Sequence, residues 1–257
     1  MKDVFKYFNL PVQVQIDIPI TKISLKNNET CTLSDRKLLD GSDVQSIRLK
    51  ALIKQETANI PSYYTEDEMY VEVYFIEVII QTAVYKKNYK SIIHLLNKLI
   101  PHHCIIVTKS EDFSEVNIGL ASKTISKNSN SLRVLQKEYF SNNLEFENFN
   151  FSETLAYSNA NKHDLKAFYQ FYIQVFQNFN LIELTKDFKL RNFAQTEEML
   201  LVQDRINEYE VEINRGINQL KTVVQMREKV QINSDIHALK LKIHELKNTL
   251  ENYGEDQ

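Results

Sequence analysis

Hydrophobic and polar positions between Tyr70 and Lys109 follow three successive patterns. Residues 70–80 are rich in β-branched and aromatic side chains and contain neither glycine nor proline, which favours a β-strand. Between 90 and 100 the apolar residues recur every three or four positions, which predicts a helix with one buried face. Pro101 ends that helix, and an apolar run of strand length follows it. The stretch therefore predicts a βαβ unit, two parallel strands joined by a helix on one face of the sheet.

The chain before this unit gives weaker signals. Residues 20–25 predict a short strand, and Ser34 is a candidate N-cap for a helix that begins near Asp35. An apolar pattern whose element type stays open runs over 44–54.

The chain after Val107 predicts more strands. Runs at 115–122 and 132–140 are separated by polar turns, which indicates antiparallel strands that extend the sheet. The predicted fold class is thus α+β, or α/β, with a mixed β-sheet around a βαβ core. We place this mixed-sheet domain at residues 1–150.

From His163 onwards the period becomes helical. An aromatic amphipathic helix is predicted within a connecting segment, 151–195, from these apolar positions: Leu165, Phe168, Tyr169, Tyr172, Ile173, Phe176 and Phe179.

Two heptad patterns follow in residues 196–257. The first consists of Val202, Ile206, Tyr209, Ile213, Gly216, Leu220 and Val223. The second consists of Ile232, Ile236, Leu239, Ile243, Leu246, Leu250 and Tyr253. The two patterns are out of phase, so one straight helix would not keep them on one face. We predict an antiparallel coiled-coil hairpin, with a single long helix containing a phase shift as the alternative.

Composition adds bounds on the class of protein. The chain has 257 residues, 43% of them hydrophobic and 25% charged, as in an ordinary globular protein. The net charge of −3 gives no global attraction to nucleic acid, although a local basic face is compatible with it. The N-terminus lacks the apolar segment of a signal peptide, and no apolar run is long enough to span a membrane. Two isolated cysteines indicate reduced thiols, and we expect a cytoplasmic protein.

Few residues suggest catalysis. Glu72 and Glu77 are weak candidates for a metal-dependent nuclease of the Asp…Glu-x-Lys type, but neither is followed by the lysine. Five residues apart on one strand, they are also expected to face opposite sides of the sheet. His102, His103 and Cys104 lack a second ligand pair at zinc spacing, and no phosphate-binding or dinucleotide motif occurs. We predict no metal and no cofactor, and a non-enzymatic role is favoured.

A basic cluster near the first predicted helix gives a weak nucleic-acid signal. Lysine and arginine can contact phosphates without sequence preference, although such residues usually form a solvated face. The weak candidates are Arg36, Lys37, Arg48 and Lys50.

Several short motifs resemble the bacterial family called domain of unknown function 4391. They are the segments 35–39 and 57–60, the strand 72–78, the Ile-Pro-His-His-Cys run at 100–104, and the closing segment 227–233 with Leu239-Lys240 and Leu246-Lys247. The resemblance implies a gene neighbourhood with helicases and DNA methyltransferases in restriction-like, antiphage defence clusters. It brings no catalytic residues with it.

Three functions follow as hypotheses. The first is a non-catalytic subunit of a helicase-containing defence or restriction-like complex, bound to a helicase or DNA methyltransferase subunit through its C-terminal helices, with weak or indirect DNA contact. The second is the divergent metal-dependent nuclease, and the third is a self-associating adaptor. The predicted partner-binding residues are Ile206, Ile213, Leu220, Ile236, Leu239, Ile243, Leu246 and Leu250.

Overall fold

Strand β5 (Glu72–Ile80) lies near the middle of a six-stranded sheet in the computed structural model, which describes residues 4–127, 129–144 and 149–252. The other five strands are β1 (Gln15–Pro19), β2 (Val44–Lys54), β6 (His103–Ser110), β7 (Val116–Ser126) and β8 (Ser129–Phe140). The strand order in the sheet is β1-β2-β5-β6-β7-β8. β5 and β6 pair in parallel, whereas the remaining neighbours pair antiparallel. The predicted mixed sheet is therefore confirmed.

Helix α5 (Tyr85–Leu99) connects β5 to β6, which confirms the βαβ unit. It covers one face of the sheet together with α2 (Lys22–Lys26) and α3 (Leu33–Asp40). Its buried side chains pack against alternate residues of β5, among them Ile76 and Val78. A small ribbon of β3 (Tyr63–Tyr64) and β4 (Met69–Tyr70) precedes β5.

The second face of the sheet is covered by aromatic residues. Phe75 of β5 contacts Phe8 and Tyr172 edge-on, with ring centroids 5.1 and 5.8 Å away. Phe8 belongs to α1 (Phe5–Phe8) and Tyr172 to the predicted aromatic helix, α7 (Leu165–Asn180). Two short helices, α4 (Gln55–Ala58) and α6 (Phe149–Thr154), complete this part of the chain. The aromatic helix thus belongs to the first of two structural units, Met1–Phe179.

Two local predictions differ from the structure. The strand predicted at 20–25 is wrong, because the Thr21 hydroxyl accepts a hydrogen bond from the Ser24 N–H at 3.1 Å and starts helix α2. The cap of α3 is Thr32 instead of Ser34, and a capping box with Asp35 fixes that helix start.

The second unit, Asn180–Gln257, contains α8 (Ile182–Thr185), α9 (Phe193–Leu220) and α10 (Met226–Asn252). A capping box between Asn192 and Gln195 starts α9. α9 and α10 pack against each other, with Gly216 against Ile236 and Val202 near Leu246, so they run antiparallel. The single-helix alternative is therefore wrong. Within the described ranges, no helix is both long and apolar enough to cross a membrane.

Candidate functional site

Four adjacent strands bring charged side chains together on the face of the sheet that carries Phe75. We call this set the charged row. It consists of Asp17 on β1, Arg48 and Lys50 on β2, Glu77 on β5 and Lys109 on β6. Three of these five, Arg48, Lys50 and Glu77, are candidates named from the sequence, and the structure places them in one site.

Strand register explains why the charged row forms. Arg48 lies directly opposite Glu77 in the antiparallel pairing of β2 and β5. Lys109 lies beside Ile79 in the parallel pairing of β5 and β6, two residues beyond Glu77 on the same face. An extra residue in β2 at Lys50 shifts the register between Leu49 and Ala51. At this bulge, Lys50 forms an ion pair with Asp17 of the neighbouring strand β1.

The outer end of the charged row is partly exposed. The Arg48 guanidinium donates from Nε to the Asp17 carboxylate at 2.7 Å and from Nη2 to the Asp17 carbonyl at 2.9 Å. Lys50 Nζ lies 3.1 Å from the same carboxylate. The hydrogen bonds from Arg48 and then Lys50 lower the pKa of Asp17 below its ordinary value.

The inner end of the charged row is buried. The Lys109 ammonium is ion-paired with Glu77, and their side chains are only 4% and 13% exposed. The Phe5 ring of α1 covers both lysines, with its centroid 5.5 Å from Lys109 Nζ and 6.0 Å from Lys50 Nζ. A groove of about 490 Å³ lies beside this cover and is lined by Phe5, Lys6, Asn9, Leu10, Gln15, Ile16, Asp17 and Lys50.

The chemistry open to the charged row follows from its ion pairs. Three cations and two carboxylates leave one positive charge in excess, which suits an anion at the exposed end. A divalent metal held by Asp17 and Glu77 would have to displace Arg48 from one carboxylate and Lys109 from the other. Across the described part of the chain, no group of three or more histidine, cysteine or acidic residues is placed to hold a metal ion.

Glu72, the other carboxylate named from the sequence, lies on the opposite face of β5, as its spacing from Glu77 predicts. Its carboxylate accepts a hydrogen bond from the Tyr74 hydroxyl at 2.9 Å and lies 3.6 Å from His102 Nδ1. His102 in turn stacks on the Tyr74 ring. The two glutamates therefore belong to separate environments.

The four nucleic-acid candidates also divide between the two faces. Arg48 and Lys50 lie in the charged row, where both contact Asp17. Arg36 and Lys37 are exposed on α3, on the face that α5 covers. They do not form one basic patch.

The eight partner-binding candidates lie in the hairpin. Ile206, Ile213 and Leu220 of α9 pack in one apolar cluster with Ile236, Leu239, Ile243, Leu246 and Leu250 of α10. We call this cluster the hairpin seam. Its side chains contact one another within a single chain, so their part in binding another protein stays a prediction.

The outer side of α9 carries a second kind of surface. Two grooves of about 530 and 500 Å³ lie beside it and share Asp204 and Glu208, and the first also extends to Val202 and to Leu246 of the hairpin seam. Leu201 lines the first groove and Val211 the second, and these side chains are 66% and 50% exposed. We call Leu201, Asp204, Glu208, Val211 and Arg215 the α9 strip, because they recur at three- and four-residue steps on one side of the helix.

Sequence reasoning missed Asp17, Lys109 and the α9 strip. Asp17 lies in a segment whose hydrophobic pattern is irregular. Lys109 lies at the end of an apolar run whose pattern indicates a buried strand. The available signal was the predicted parallel pair itself, since parallel register can place a lysine of the second strand beside the position two residues after Glu77.

Comparison with known proteins gives one match. The family model described as Domain of unknown function (DUF4391) matches residues 8–243, which include the charged row and most of the hairpin. No curated protein and no solved structure shows a significant match. Because the family model covers nearly the whole chain, the protein belongs to the family Domain of unknown function (DUF4391).

Proposed function

We propose that the protein is a non-catalytic subunit that docks onto a partner protein through the α9 strip. The observation that supports this is the exposure of Leu201 and Val211, at 66% and 50%, on a helix whose other side is already occupied by the hairpin seam. Exposed apolar side chains that recur along one side of a helix form the kind of surface on which an amphipathic partner helix packs.

Charge on α9 favours a protein partner over nucleic acid at this surface. The helix carries six acidic residues and two arginines, and these are Glu197, Glu198, Asp204, Arg205, Glu208, Glu210, Glu212 and Arg215. Such a surface repels phosphate. The matching partner is an amphipathic helix with apolar anchors and a lysine- or arginine-rich rim. From the family resemblance, we propose that this helix belongs to a helicase or DNA methyltransferase subunit of a defence or restriction-like complex.

The test is co-purification of the tagged protein from cells that carry its native gene neighbourhood. The double substitution Leu201→Glu and Val211→Glu should prevent co-purification of the helicase or methyltransferase. Deletion of 197–257 should have the same effect. The matched control is Val230→Glu with Leu241→Glu on α10, whose side chains are 59% and 51% exposed. The control should retain the partner.

Binding assays with the purified protein and its purified partner then measure how much affinity each variant loses. In the double variant, the two new glutamates would be buried against apolar side chains of the partner. This should weaken the binary complex by about 100-fold or more. Equal binding by both variants and wild type would overturn docking at α9. Loss of self-association alone, measured by light scattering, would instead favour the self-associating adaptor.

A divergent metal-dependent nuclease is the second candidate, and one observation favours it. Asp17, Glu77 and Lys109 lie on one face of the sheet, on β1, β5 and β6, and two carboxylates with a lysine are the set of groups that such chemistry uses. In assays with magnesium or manganese, Asp17→Asn and Glu77→Gln should abolish cleavage of DNA, whereas Glu72→Gln on the other face should retain it. Cleavage that survives both substitutions, or that is absent from the wild type, would exclude this candidate.

A further inference from the structure

The charged residues on the solvent side of helix α5 are all basic. Its sequence holds four lysines and one histidine and no acidic residue. At 100° per residue, the four lysines fall within an arc of about 120°. The buried arc carries Ile92, Ile93, Leu95, Leu96 and Leu99. The lysines Lys86, Lys87, Lys90 and Lys98 are therefore displayed by a helix that the core holds rigidly.

Five carboxylates near α5 are already engaged. Glu115 pairs with Lys86 at 2.9 Å, and Asp35 pairs with Lys98 at 2.7 Å. Glu138 binds His94 at 2.9 Å. On the α3 side, Asp43 accepts a hydrogen bond from the Asn88 amide at 2.7 Å, and Asp40 is ion-paired with Lys26.

Four exposed cations of α3 and α5 remain without a carboxylate within salt-bridge distance among the described residues. Lys87 and Lys90 lie on α5, and Arg36 and Lys37 lie on α3, all four exposed. The Asp35–Lys98 and Asp43–Asn88 contacts align α3 with α5, antiparallel to it. Lys90 Nζ also lies 5.5 Å from the Phe140 ring. We call these four residues the α5 basic face.

Charge is thus segregated within a chain whose net charge is −3. Helix α9 carries six acidic residues and two arginines, whereas α5 carries four lysines and no acidic residue. The α5 helix is about 22 Å long. DNA presents a phosphate every 3.4 Å along each strand, so several phosphates lie within reach of these flexible lysines.

We propose that the α5 basic face binds the phosphate backbone of a DNA duplex without reading its sequence. The four cations have no geometry for base edges, because they are long flexible lysines and one arginine on an exposed helical surface. This contact lies apart in sequence from the α9 strip and does not depend on the partner proposed for it.

The test is fluorescence anisotropy of a labelled random-sequence DNA duplex with the full-length protein over a range of salt concentrations. Four phosphate contacts predict that the logarithm of the association constant falls with the logarithm of salt concentration with a slope of about −3.6. Replacing Lys87→Gln and Lys90→Gln together should reduce the magnitude of that slope by about 1.8.

The matched control is Lys240→Gln with Lys242→Gln on α10, which makes the same change in net charge at two exposed lysines of one helix. The control should keep the wild-type slope. An equal decrease in both variants, or no salt-dependent binding at all, would overturn the proposal. Competition by polyglutamate as strong as that by unlabelled DNA would also overturn it, since it would assign the face to acidic proteins.

Discussion

The sheet unit and the hairpin unit bury their apolar residues to different extents. Phe75 and Ile106 in the sheet unit are 0% exposed, with helices on one face and aromatic rings on the other. In the hairpin seam, Ile213, Ile236 and Ile243 remain 8–9% exposed at the centre of the contact. Two helices can shield only one stripe on each other, whereas a sheet covered on both faces encloses its side chains completely.

The comparison shows where surfaces for partners come from. The sheet unit pairs charges that it buries, as Glu77 and Lys109 do under Phe5. The hairpin leaves Leu201 and Val211 outside its seam. A region with a single buried stripe displays more of its sequence, which is why we place the proposed docking surface on the hairpin.

Two glycines test the comparison directly. In the sheet unit, a Cβ added to Gly119 of β7 would lie 2.2 Å from Cγ2 of Ile93 on α5. Because Ile93 is fully buried, Gly119→Ala should lower the free energy of unfolding by about 3 kcal/mol, at the upper end of overpacking effects. Urea denaturation, followed by circular dichroism, measures this change.

The control for Gly119→Ala is a double-mutant cycle with Ile93→Ala. Removing the isoleucine side chain makes room for the new methyl group, so the double variant should lose about 2 kcal/mol less than the sum of the two single losses. Additive losses would show that the new methyl group does not act through Ile93.

Buried histidines give the sheet unit a pH dependence. Burial, helped by the positive charges of Lys123 and Arg133, holds the pKa of His103 well below its ordinary value of 6.5. The unfolded chain therefore binds a proton that the folded state excludes. Stability contributed by the neutral ring is complete above pH 6.5 and should fall by about 1.4 kcal/mol for each pH unit below it.

Unfolding by urea between pH 7.5 and 5 checks this slope. His103→Gln should reduce the slope by one proton. The slope is the quantity to compare, because the substitution also changes packing against Tyr70, whose ring stacks on His103 at 3.7 Å. An unchanged slope in His103→Gln would contradict the assignment.

Local patterns predicted the elements of this fold, whereas contacts distant in sequence were not predictable. The βαβ unit followed from periodicity over 70–107, because each of its elements buries one face. The type of β2 stayed open because the bulge at Lys50 interrupts strand alternation. At 20–25, β-branched residues suggested a strand, but the N-cap hydrogen bond to the Thr21 hydroxyl stabilises a helix instead.

The charged row could be predicted only in part. Spacing separated Glu77 from Glu72, because side chains alternate along a strand. The sequence named Arg48 and Lys50 as candidate cations. It did not show that both pair with Asp17, since that contact depends on strand order and register, which are tertiary properties. The α9 strip was not predicted, because the heptad pattern identifies only the residues on the opposite side of the same helix.

Gly216 of α9 is the counterpart of Gly119 and has the smallest expected effect. An added Cβ would lie 3.1 Å from Cγ1 and 3.2 Å from Cδ1 of Ile236, a contact that small shifts of the side chain relieve. Alanine also favours the helix by about 1 kcal/mol over glycine. The two contributions oppose each other, so Gly216→Ala should change the free energy of unfolding by less than about 1 kcal/mol. A loss as large as that of Gly119→Ala, measured by the same urea denaturation, would mean that the hairpin seam is as tightly enclosed as the sheet core.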